Sequence, residues 1–136
     1  MQLIQTRVYD LILINQGNYP QEQRIIDGIK EDIIRANGKL LRLNTQMATM
    51  NYGNLKYRLD KMVSIYDWKG VDQELELVHE LPLIESVEYL NSLAYNITIT
   101  DISKIDFANS NVRIFTYSML NTAFQDIVKL SDDLYT

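Results

Sequence analysis

Cysteine is absent from the 136 residues. That removes disulfide frameworks, thiolate chemistry and zinc–cysteine centres, and fits a reducing compartment. Histidine occurs once, at His79, so a metal site built on several imidazoles is excluded within one copy. The five glycines are scattered singly at 17, 28, 38, 53 and 70, and no glycine-rich loop is available to cradle a phosphate. No apolar run reaches the length of a membrane span. Residues 1–7 lack a basic leader, an apolar core and a small-residue cleavage site. This predicts no signal peptide and a cytoplasmic protein, or a virion protein if the source is viral. Without a secretory signal, Asn96-Ile97-Thr98 reads as a chance sequon. No elbow motif sets a serine for nucleophilic attack, and no internal repeat or low-complexity tract is visible. The reading is therefore of a protein that is not an enzyme and carries no cofactor.

What is present is ordinary globular composition, 46% hydrophobic and 23% charged, in a chain long enough for one domain over residues 1–136 with a real core. The clearest pattern is a seam. Ile26, Ile29, Ile33, Ala36, Leu40, Leu43, Met47 and Met50 follow one another at alternating steps of three and four, the spacing of a helix stripe that faces a partner. Asn37-Gly38 in its middle is also a helix-stop signal. The heptad phase is kept across it, which favours one helix over about 20–51. The rod is about 36 Å long at 1.5 Å per residue, more than the other segments can cover.

The remaining chain reads as further helices. Ile4, Val8, Leu11 and Ile12 suit a helix over 3–15, ended by the turn at 16–20. Leu55, Leu59, Met62, Val63 and Tyr66 give a helical face to about Trp68, which makes residues 20–68 a helical hairpin. Leu75, Val78 and Leu81 continue at steps of three until Pro82 kinks or breaks the pattern. Pro82 then opens a helix to about Tyr95. Ile97 and Ile99 alternate with threonines, a strand-like signal near 96–102. Asn109-Ser110 caps a last helix over about 110–133, with Val112, Phe115, Met119, Ala123, Ile127 and Leu130 as its stripe. The fold expectation is mainly α: a bundle of four or five helices around a long central one, with at most a minor strand near 96–102.

The net charge of −5 hides a split. Residues 1–70 hold ten Lys/Arg against seven Asp/Glu, and residues 71–136 hold three against eleven. Arg35, Lys39, Arg42, Lys56, Arg58 and Lys61, interleaved with Tyr52 and Tyr57, make a basic stretch. Asp72, Glu74, Glu76, Glu80, Glu85 and Glu88 make an acidic one. Basic groups with aromatics can hold nucleic acid, but the whole chain is acidic and shows no nucleic-acid motif. Glu76 and His79 form one Glu-x-x-His, and a helical di-iron site needs two plus two further glutamates. A run of like charge is more often a solvated or partner-binding face than an acid–base site.

These features point to a non-catalytic structural or assembly protein that forms a homo-oligomer. The basic arm of one copy (Arg35, Lys39, Arg42, Lys56, Arg58, with Leu43 in the seam) would meet the acidic stretch of the next (Glu74, Glu76, Glu80, Glu85). A head-to-tail contact of that kind closes into rings. A phage virion connector or assembly factor suits such a chain. The alternative is an acidic inhibitor or adaptor that binds a host protein or a nucleic-acid-binding enzyme.

Overall fold

The computed structural model describes residues 2–17, 21–49, 62–68 and 75–120. The expectations for residues 50–61, 69–74 and 121–136, and with them Lys56, Arg58 and Glu74, lie outside these residues, as does the side chain of Leu43. Within them the protein is mainly helical with a small antiparallel sheet. The order is α1 (Gln2–Asn15), α2 (Gln23–Thr49), β1 (Met62–Asp67), β2 (Glu76–Pro82), α3 (Leu83–Thr98), a 3-10 turn (Ile102–Lys104) and α4 (Ser110–Leu120).

Helix α1 buries Ile4, Val8, Leu11 and Ile12, one side of a 3.6-residue repeat. It ends where Gly17 takes φ +83°, a left-handed conformation that glycine adopts without a Cβ penalty. Helix α2 passes through Asn37-Gly38 unbroken. Its inner side is Ile26, Ile29, Ile33, Asn37 and Leu40, all buried, with Ala36 packed beside them. Helices α1 and α3 flank α2, and α4 packs on α3 and β1. Arg7 ties α1 to α2, with Nη1 3.1 Å from Asp10 and Nε 3.2 Å from Asp32. Two bonds set α3 against α2: Asn37 Nδ2 donates to the Asn91 carbonyl at 3.2 Å, and Lys30 Nζ to the Thr100 carbonyl at 3.0 Å. Asn37 Oδ1 and Asn91 Nδ2 find no partner at this seam.

Three expectations are corrected. Residues 62–67 are a strand, not the end of a helical hairpin: Val63, Ile65 and Asp67 turn inward at period two. Residues 76–82 are the antiparallel partner. Their steps of three mimic a helix because Val78 is an extra residue in a bulge, between Leu77 opposite Tyr66 and His79 opposite Ile65. The strand expected near 96–102 is the last turn of α3, a connector and the 3-10 turn. Ile97 is fully buried on the helix side shared with Leu90, Leu93 and Ala94. The threonine hydroxyls that suggested a strand bond back to the helix: Thr98 Oγ1 to the Tyr95 carbonyl at 2.6 Å, and Thr100 Oγ1 to that of Asn96 at 2.7 Å.

The N-terminus of α4 is capped by Asn109, whose Oδ1 accepts from the Asn111 and Val112 amides at 2.9 and 3.4 Å. At the head of α3, Pro82 takes the N-cap position without a side-chain cap, and Glu85 sits in the first turn, where a carboxylate suits the helix dipole.

Candidate functional site

Strand β1 ends on Asp67, whose parity with Val63 and Ile65 sends its carboxylate inward. Arg113, one turn into α4, meets it with two parallel bonds: Nε to Oδ1 at 3.0 Å and Nη2 to Oδ2 at 3.2 Å. The side chains are 8% and 17% exposed. Nη1 donates to the carbonyls of Phe107 and Ala108 at 3.0 and 2.9 Å, which pins the turn before α4. The guanidinium is held protonated above its ordinary value, first by the hydrogen bond to Asp67 and then by that carboxylate's charge, against the opposing effect of burial. Nearby, burial and the Asp67 charge push the Tyr89 phenol above its ordinary value. The His79 ring stands edge-on to Tyr89, with centroids 4.7 Å apart.

On this pair rests a cavity of about 350 Å³, lined by Tyr9 of α1, Trp68 after β1, Phe107 of the pinned turn, and Arg113, Thr116 and Tyr117 of α4. The last three lie at i, i+3 and i+4, so a single helix side presents them. The volume falls at the lower end of the range for small-molecule sites.

None of these residues stood out in the sequence as a site. Two signals were available. Arg113 is one of only three basic residues after residue 70, a scarce cation in an acidic half, and Asp67 keeps the inward parity of a strand. The convergence of four aromatic rings from separated stretches has no local signature.

Apart from Glu76, which pairs across from Asp67, the residues singled out by charge are elsewhere. Arg35, Lys39 and Arg42 are exposed and, at i, i+4 and i+7, share the outer side of α2. Glu76, Glu80 and Glu85 are exposed, but the acidic stretch is not one helix side. The register sets Glu76 opposite Asp67 and Glu80 opposite Ser64, on opposite faces of the sheet, while Glu85 belongs to α3. The Glu76–His79 pair lies on a strand, and among the described residues no group of three His, Cys, Asp or Glu side chains could hold a metal ion. Among those residues no helix is long and apolar enough to cross a membrane.

No family model matches the chain, and neither the curated proteins nor the solved structures include one similar to it.

Proposed function

We propose that the chain is a non-catalytic assembly protein, a helical bundle around α2 that associates with copies of itself. The observation that carries this reading is a row of uncovered apolar side chains along the α2–α3 seam. The Asn37–Asn91 and Lys30–Thr100 bonds run the two helices antiparallel. Ile34 and Leu41 stand just outside that contact on α2, Tyr95 stands just outside it on α3, and Ile99 lies immediately past the end of α3. They are 47%, 41%, 51% and 67% exposed. Four large apolar groups in one row on a small domain are the usual mark of a contact surface. Arg35, Lys39 and Arg42 lie beyond the row on the α2 side, and Glu85 lies beyond it on the α3 side. A two-fold axis through the row sets the basic edge of one copy on the acidic edge of the other, which makes the surface self-complementary. The bulk of the association energy comes from the apolar row, and the charges set orientation and salt dependence.

Light scattering on the purified chain at low and high salt tests this. The expected mass is a multiple of 15.9 kDa, larger at low salt. Ile34→Asp should return a monomer with an unchanged circular-dichroism spectrum, because the side chain is already exposed. A 15.9 kDa species under every condition removes the proposal.

A further inference from the structure

Arg113 spends its donors inward. Nε and Nη2 go to Asp67 and Nη1 goes to two backbone carbonyls, which leaves one N–H of the five a guanidinium carries. Its charge is balanced at contact distance by Asp67. The cavity it walls is therefore no anion receptor, in spite of its arginine. Nor does it suit a cation, since no carboxylate lines it.

What remains is a set of flat, uncharged surfaces. Tyr9, Trp68, Phe107 and Tyr117 supply four rings, and Tyr9, Trp68 and Phe107 stay exposed although they are large and apolar. The lining is almost wholly apolar, so shape and ring faces rather than hydrogen bonds define what fits. The volume of about 350 Å³ is more than twice the ~150 Å³ of an apolar cavity that admits benzene. The geometry points to a binding site for a neutral, planar aromatic small molecule of two or three fused rings, stacked on these side chains. This site is separate from the α2–α3 surface and does not depend on self-association.

Trp68 is the sole tryptophan of the chain, so its emission reports on this cavity alone. N-phenylnaphthylamine titrated into the full chain is the probe. Saturable quenching of Trp68 with matching sensitised probe emission is expected. Quinoline should compete, and tetramethylammonium and inorganic phosphate should not. Phe107→Ala and Tyr9→Ala should each weaken binding about tenfold, the scale of losing one stacked ring. Both rings are exposed, so the melting curves should stay near that of the parent, and Ile34→Asp should leave the affinity unchanged. The absence of a saturable signal, parental affinity in both ring variants, or competition by tetramethylammonium would each overturn the assignment.

Discussion

Replacing Asp67 by asparagine keeps the shape of the side chain and deletes its charge. The guanidinium of Arg113, 17% exposed, then faces a neutral amide where it had a two-point carboxylate partner. Its contacts to the Phe107 and Ala108 carbonyls survive. Breaking a buried pair by removing one partner costs about 3–5 kcal/mol. The surviving carbonyl bonds and the partial exposure of Arg113 put the expected loss near the lower end, about 3 kcal/mol. Against a total stability of about 5–15 kcal/mol for a domain, that is a large fraction. Urea unfolding should be followed by both far-ultraviolet circular dichroism and Trp68 emission, because Trp68 adjoins the substitution and could report a local change only. Arg113→Met strands a carboxylate that is 8% exposed and should cost a similar amount. The double variant should recover part of the loss, with a coupling of about 2 kcal/mol. A loss under about 0.5 kcal/mol for Asp67→Asn, or strict additivity in the cycle, would show that the pair does not hold β1 to α4.

Three further outcomes follow from single positions. Gly38 lies mid-helix with nothing within 4 Å of an added Cβ, so Gly38→Ala should stabilise by up to about 1 kcal/mol, raising Tm by about 4 °C. Gly17→Ala should lose about 1 kcal/mol instead, because φ is +83° there; calorimetry checks both. The Tyr89 phenol is held above its ordinary 10.0, so the folded state favours its neutral form. That contribution is intact below pH 10.0 and is lost as pH rises through the folded value. Tyr89→Phe should flatten this alkaline fall in unfolding free energy, and an identical fall in both proteins would contradict it.

Helices with uninterrupted periodicity were legible from the residues. The spacing of Ile4, Val8 and Leu11, the proline at the head of α3 and the asparagine cap of α4 each act over a few neighbours, and each took effect as its local chemistry predicts. The strands were not legible. Met62 and Tyr66, four apart, satisfy both periods over so short a span, and tertiary packing on α4 decides between them. The threonines near residue 100 misled for the opposite reason, since β propensity yielded to a helix whose burial was already set by Leu90 and Ala94. The aromatic cavity depends on long-range closure, which no window of sequence contains.

The extra residue at Val78 has a consequence of parity. Were the ladder to run straight through it, with Val78 itself paired to Tyr66, every side chain before it in β2 would swap sides. Leu77 would lie across from Asp67, and Glu76 would swing out to the opposite surface. The bulge thus decides whether an acid or a hydrocarbon neighbours the Asp67–Arg113 clasp, and shifts by one residue where the chain leaves the sheet.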